Sequence, residues 1–300
     1  MDFIKLSKLL VPTLFIALFS LIPINNNHND IEPWMKNVSD DTRLIDMSIP
    51  GSHDSGATHS IFDVAGKCQD LSIEEQLKIG TRFFDLRLQL VKDEFRIIHG
   101  PVDQNLKFKD VLNSLVNYIE KYISEFIIIS RKQEDSSIDS LKSFEEVLTS
   151  NLKEHESFIS FNKSFPETIK TLRGKIHIIS RYNLDYGYPA YYGWSDDTSF
   201  TLDNLYVQDN YCIDETSEKK QDIMNCFNVS NDNGNDKIVL NFTSCYLDNA
   251  FPPTYAGTAA NDINPWLLDY VKNNQNTKLG IVIMDFVSEE LSKEIYRRNY

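Results

Sequence analysis

Apolar and polar positions alternate in short blocks along most of this chain, and block after block runs out into a charged or histidine-bearing end. In LIDMSIPG, Ile45, Met47 and Ile49 alternate with polar or thin residues, which predicts a strand halted by the Pro50-Gly51 turn, with His53 and Asp54 just beyond it. In GTRFFDLRLQL, Phe83, Asp85 and Arg87 share one face of a strand while Phe84, Leu86 and Leu88 share the other. FRIIHGP repeats the first layout, an apolar strand ending in His99 before Gly100-Pro101. EFIIISRKQE closes on Arg131, Lys132 and Glu134, GKIHIISRY on Arg181, LYVQDNYC on Asp209 and Tyr211, and the wholly apolar LGIVIMDF on Asp285.

Between these blocks the period lengthens to that of a helix. KFKDVLNSLVNYIEKY gathers Phe108, Val111, Leu112, Leu115, Val116 and Ile119 on one face, and SSIDSLKSFEEVLTSNLKEH, SEKKQDIMNCFN and NDINPWLLDYVKNN read as further helices, the last with Pro265 near its start. Strands near residues 44, 82, 95, 126, 175, 205, 237 and 279 alternate with helices. The fold class is therefore α/β, an irregular (β/α)8 TIM-type barrel in a single domain; irregular because the link from Arg87 to Arg96 is too short for a helix. Barrel closure sets the last strand beside the first, which makes His53 the natural partner of Asp285, since Ser288 is better placed to cap the final helix.

The 300 residues, 41% hydrophobic, suffice for one large core. A net charge of −14 leaves no nucleic-acid partner expected and disfavours electrostatic capture by anionic membranes, so any basic site has to be a local pocket. Residues 1–24 place Lys5 and Lys8 before an apolar run and read as a secretory signal peptide, with a signal-anchor as the alternative; the barrel domain then occupies 30–300, and a secreted, extracellular protein is expected. Cleavage is left open between about Ser20 and Asn27. Cys68, Cys212, Cys226 and Cys245 permit three pairings, Cys212 with Cys226 closing the shortest loop, while a buried free thiol at Cys245 is an equal alternative. No ligand spacing points to zinc. Sequons stand at Asn37, Asn162, Asn228 and Asn241, the last inside a strand.

Two histidines and an arginine at strand ends suit a general base, a general acid and an anion clamp, the parts of phosphoryl transfer. The blocks SIPGSHDSGA, RFFDLRLQL and FRIIHGP resemble the X-region of phosphatidylinositol-specific phospholipase C in its bacterial-type form, and the resemblance continues in order through IIISRKQE, GKIHIISRY, LYVQDNY, LNFTS and IVIMDF, from Trp34 to Tyr300. It implies an enzyme that cleaves phosphatidylinositol in membranes or micelles to diacylglycerol and a cyclic inositol phosphate, and leaves open whether free phosphatidylinositol or a glycosylphosphatidylinositol anchor, which shares the bond attacked, is the natural substrate. In the animal branch the positions corresponding to Asp54 and Arg87 serve calcium; here Arg87 sets a fixed cation there, so the resemblance implies no metal and no cofactor.

The roles that follow make His53 the base, oriented by Asp285, and His99 the acid, kept protonated by Asp54 and Asp85. Arg87 meets the phosphate oxygens, Lys132 and Arg181 bind inositol hydroxyls or a phosphate, Asp209 bonds inositol hydroxyls and Tyr211 stacks on the ring. A monomer with peripheral membrane contact is expected, through Ile61, Phe62, Phe251 and Tyr255 or through the aromatic stretch YNLDYGYPAYYGW; self-packed loops are the bland alternative for both. Two rivals stand: a metal-dependent phosphodiesterase of related barrel type, whose carboxylate cluster Arg87 spoils, and a secreted lipid- or glycan-binding barrel without catalysis.

Overall fold

The computed structural model describes residues 33–60, 66–183, 186–249 and 255–300, and residues 31–300 form one unit. The leader assigned to 1–24, together with Ile61, Phe62 and Phe251, lies outside the described residues. The strands are β1 (Ser48–Ser52), β2 (Phe83–Val91), β3 (Glu94–His99), β4 (Val102–Lys107), β5 (Ile127–Gln133), β6 (Ile159–Ser160), β7 (Ile176–Ser180), β8 (Tyr188–Pro189), β9 (Ser199–Leu202), β10 (Leu205–Gln208), β11 (Cys212–Ile213), β12 (Ile238–Phe242), β13 (Tyr246–Leu247) and β14 (Gly280–Met284). The helices are α1 (Ile73–Lys78), α2 (Phe108–Lys121), α3 (Phe144–Lys153), α4 (Ile169–Leu172), α5 (Thr216–Asn231), α6 (Ala256–Asn273) and α7 (Glu289–Tyr296).

The parallel wall runs β7-β5-β2-β1-β14-β12-β10, so the last strand does lie against the first. β6 and β8 extend it at β7, β9 adds antiparallel to β10, and among the described residues no pairing joins β6 to β9. The strand counted near residue 95 is not a stave of the barrel. β3 turns back antiparallel on β2 and continues into β4, because two residues between β2 and β3 allow only a hairpin. Side chains alternate as the strand period requires: Phe83, Ile128, Ile281 and Ile283 fill the barrel, while Phe84, Ile129, Val282 and Met284 pack outward beneath the helices. Each such burial is worth about 1.5–3 kcal/mol. All six apolar residues read on α2 are buried.

Three local expectations give way. Leu44–Asp46 is a 3-10 turn, and Pro50 and Gly51 lie inside β1. N–H groups of a parallel strand alternate between its neighbours; His53 N–H bonds Met284, so position 50 faces the other way, where β2 pairs only from Phe83 and no donor is missed. Gly51 is needed for closeness, since a Cβ there meets Phe83 Cβ at 3.0 Å. α3 starts at the Ser143/Glu146 capping box, well after the Ser136 first expected. α6 begins at Ala256, which leaves Pro265 mid-helix on an exposed face, where water can take the carbonyl that loses its donor. All four cysteines are free, Cys68, Cys226 and Cys245 being buried.

Charge is also buried at the mouth's opposite end. Arg82 Nε bonds Glu125 Oε2 at 2.7 Å with both side chains sealed from solvent, and Glu125 Oε1 accepts Met35 N at 2.9 Å. That pair ties the starts of β2 and β5 to the N-terminal segment, leaving the strand ends free for chemistry.

Candidate active site

The closure of the barrel builds the first pair. β1 runs out into His53 and β14 into Asp285, and His53 Nδ1 lies 2.8 Å from Asp285 Oδ1. Gln69 clasps the two strand ends: its Nε2 donates to His53 O at 2.7 Å and Met284 O at 2.9 Å, and its Oε1 accepts Val287 N at 3.1 Å. The residues directly after each partner, Asp54 (φ 42°) and Phe286 (φ 48°), take the left-handed backbone that side chains disfavour. Ala57 N to Asp54 O at 2.8 Å and Phe286 N to Cys68 O at 2.7 Å hold those turns.

Arg87 is the hub of what surrounds this pair. Its Nη2 lies 2.7 Å from His53 Nε2, its Nη1 donates to Glu134 Oε1 at 3.2 Å, and its Nε faces Asp54 Oδ2 at 3.2 Å and Asp85 Oδ2 at 3.6 Å. A guanidinium only donates and a carboxylate only accepts, so Nδ1 of His53 carries the proton toward Asp285 and Nε2 is bare. Burial opposes protonation of His53, but the Asp285 carboxylate outweighs it and leaves the ring more basic than an ordinary imidazole. Burial also works against the Asp85 charge, yet Arg87 and Arg181 hold its carboxyl below the usual range, and Arg87 and Lys132 do the same for Glu134. Asp54 goes the other way, pushed up by burial against the pull of Arg87 and His99.

His99 reaches the mouth from the β3 hairpin. Its Nε2 lies 3.6 Å from Asp54 Oδ2 and its Nδ1 3.9 Å from Cys68 Sγ, so it is neighboured by Asp54 as expected, while Asp85 is committed to Arg87 and Arg181 instead. Arg181 stacks 4.0 Å above the Trp194 ring, and Trp194 Nε1 donates to Asp209 Oδ2 at 3.2 Å. Lys132 pairs with Glu134 at 3.1 Å, and Tyr211 Oη donates to Asp196 Oδ1 at 3.0 Å. His53, Arg87, His99, Lys132, Arg181, Asp209, Tyr211 and Asp285 all line one cavity of about 250 Å³. Asp54 and Asp85 are sealed behind Arg87.

Sequence reasoning left Glu134 and Gln69 without a part in the site and did not set Cys68 on the cavity wall. Glu134 had a signal, since it stands two residues beyond Lys132, which lies in register with Arg87 across β2 and β5. Gln69 and Cys68 had none, because their loop is brought in only by tertiary contacts.

The class that fold and site define is the α/β-barrel enzyme whose mouth gathers two histidines around an arginine held by carboxylates. Residues 44–182 match the family described as phosphatidylinositol-specific phospholipase C, X domain. A 1-phosphatidylinositol phosphodiesterase of Staphylococcus aureus (strain Newman) is 30% identical over 277 residues, spanning 85% of this chain and 88% of that protein. One of Listeria monocytogenes is 26% identical, spanning 92% and 87%. Among solved structures, a phosphatidylinositol-specific phospholipase C from S. aureus superposes with a TM-score of 0.79 at 26% identity, covering 91% of this chain and 98% of that one. The enzyme from L. monocytogenes gives 0.74 at 25% identity, covering 89% and 98%. The chain belongs to the phosphatidylinositol-specific phospholipase C family.

Proposed function

We propose that this chain cleaves phosphatidylinositol to diacylglycerol and a cyclic inositol phosphate by acid-base catalysis without a metal. The observation that carries the reading is the His53 ring held between Asp285 and Arg87, proton on the far nitrogen and lone pair toward the cavity. Nε2 of His53 takes the proton of the inositol hydroxyl next to the phosphodiester, and that oxygen attacks phosphorus. The nucleophile belongs to the substrate, so no covalent enzyme intermediate forms. Arg87 swings its Nη2 donor from His53 to the non-bridging oxygens as their charge grows, and its hydrogen bond to Glu134 and ion pairs with Asp54 and Asp85 keep the guanidinium in place. His99 gives its proton to the departing diacylglycerol oxygen. Arg181, Lys132 and Asp209 meet the inositol hydroxyls, and Tyr211 stacks on the ring. Glycosylphosphatidylinositol anchors share the bond attacked and fall within the same chemistry.

The donor set supports independence from calcium. The carboxylates that would hold a calcium ion, Asp54, Asp85 and Glu134, all lie within 3.6 Å of the Arg87 guanidinium, which sets a fixed positive charge among them. A phosphorus NMR time course on phosphatidylinositol micelles with excess chelator tests this. The expected result is an undiminished rate with the cyclic phosphate as first product. Activity that vanishes in chelator and returns only with calcium overturns it.

The same reading makes the protein a secreted monomer that docks on lipid through aromatic side chains. Tyr191 and Tyr192 are exposed in the loop whose Trp194 covers Arg181, which supports a rim at the cavity mouth, while Tyr255 is half-buried. Asn37, Asn162 and Asn228 are exposed, as glycosylation requires, whereas Asn241 is buried and donates to Ile223 O at 3.1 Å. Replacing Tyr191 and Tyr192 by Ser should weaken vesicle binding and spare hydrolysis of a soluble cyclic inositol phosphate; equal loss on both would sink the docking role.

A further inference from the structure

Cys68 lines the cavity beside the acid-base pair, yet the reaction above gives it no task. We propose that Cys68, His99 and Asp54 form a binding site for a thiophilic divalent cation, zinc above all, and that the bound ion shuts the enzyme by occupying its general acid. The inhibitory consequence rests on the function proposed above; the site itself does not.

The ligand set is assembled from three separate segments: the turn after β1, the loop before α1, and the end of the β3 hairpin. That is why ligand spacing along the chain gives no sign of it. One nitrogen of His99, the Cys68 sulfur and one oxygen of Asp54 lie within 4.8 Å of one another. Zinc bonded tetrahedrally to S, N and O sets its ligand atoms about 3.4–3.6 Å apart, so the three need close by only an ångström or so. The pairwise contacts are long for hydrogen bonds, 3.6 Å from His99 to Asp54 and 3.9 Å from His99 to Cys68, so little holds the His99 ring against such a shift.

A second observation points independently to a missing partner. Asp54 is wholly buried, and neither of its carboxylate oxygens has a hydrogen bond. Apart from His99, itself a ligand, Asp54 pairs with Arg87, which keeps Asp85 and Glu134 when Asp54 turns to a metal, so the guanidinium is not stranded. On binding, the Cys68 thiol and the protonated His99 ring each lose a proton to solvent as the sulfur-metal and nitrogen-metal bonds form; thiolate and carboxylate then balance the two positive charges of the ion. Cys68 and His99 line the cavity, so water can complete the shell from that side. A sulfur ligand selects zinc or cadmium over calcium and magnesium, which seek oxygen shells.

Cobalt and zinc test the site in the full chain. Cobalt added to the wild-type protein should give a thiolate-to-cobalt charge-transfer band, displaced by zinc. Micromolar zinc should suppress phosphatidylinositol cleavage, chelator should restore it, and millimolar calcium should do nothing. Cys68→Ser should keep its activity, lose the band, and need at least about tenfold more zinc for the same inhibition, the scale on which the loss of one contact weakens a metal site. A wild-type protein with no such band overturns the proposal whether or not any variant folds, and so does a Cys68→Ser protein inhibited at the wild-type zinc concentration. If no phosphatidylinositol is cleaved at all while the cobalt band appears, the functional reading fails and the site stands.

Discussion

Arg87 meets His53 at Nε2, 2.7 Å away, on the side of the ring opposite Asp285. One guanidinium thus fixes which nitrogen of His53 is bare, and in the proposed reaction it waits where a phosphate oxygen would arrive. Substrate entry and base release become the same event, because a donor drawn onto phosphate no longer covers the lone pair that must take the proton.

A base works deprotonated, and the pKa of His53 is raised above the ordinary 6.5, so the acid limb of the kcat/KM profile should lie above pH 6.5 and activity should fall below it. Asp285→Asn removes the carboxylate that outweighs burial. The limb should then move to lower pH while kcat drops by roughly 10²- to 10⁴-fold, the usual contribution of a general base. A limb that stays in place in the Asn variant would mean that another group is the base.

The leaving group separates the two histidines. His99→Ala should lose activity on phosphatidylinositol by about 10²- to 10⁴-fold, with little change in thermal midpoint, because the ring is partly exposed and makes no short hydrogen bond. A substrate whose leaving oxygen needs no proton should recover most of that loss in His99→Ala and little of it in His53→Ala. Equal recovery in both would remove the acid role from His99.

Lys219 stands behind Asp209 on the cavity wall. It is wholly buried on α5, and its Nζ donates to Gln208 Oε1 at 2.9 Å and to the Asn210 carbonyl, bracketing Asp209. Gln208 passes the link on to Phe242 O at 2.7 Å. Lys219→Met keeps the stem and removes the clamp. KM should rise while kcat holds, and stability should fall by about 1–3 kcal/mol as acceptors are left unpaired. A loss confined to stability, read by calorimetry beside kinetics, would reduce Lys219 to a structural residue.

Much of this was legible because strands and a barrel obey simple periods. Asp85 and Arg87 had to share the Phe83 face, and Asp285 had to meet His53 once the last strand closed on the first. What escaped depends on contacts between distant segments. Pro50 sits in a strand because its missing donor faces the stretch before β2 begins, and α6 carries Pro265 mid-length on a solvent face; neither condition is written in the local sequence. Cys68 and Gln69 likewise reach the site through bonds to Ala57, His53 and Met284 that no spacing announces.

Arg87 admits the sharpest trial. Arg87→Lys keeps a charge but loses the fork that now spans His53, Glu134, Asp54 and Asp85, and kcat should fall on the order of 10²- to 10³-fold, as for a lost oxyanion donor. Arg87→Asp goes further. It leaves three buried or half-buried carboxylates, Asp54, Asp85 and Glu134, facing a fourth with only Arg181 at Asp85 and Lys132 at Glu134 as remaining cations, a set of oxygens that suits calcium. That variant should be inactive in chelator, should be destabilised by the crowding of like charges, and should regain thermal stability, with some activity, in millimolar calcium. A melting curve with and without calcium reads the ion independently of catalysis. An Arg87→Asp protein as stable and active in chelator as the wild type would show that the guanidinium neither neutralises those carboxylates nor meets the phosphate.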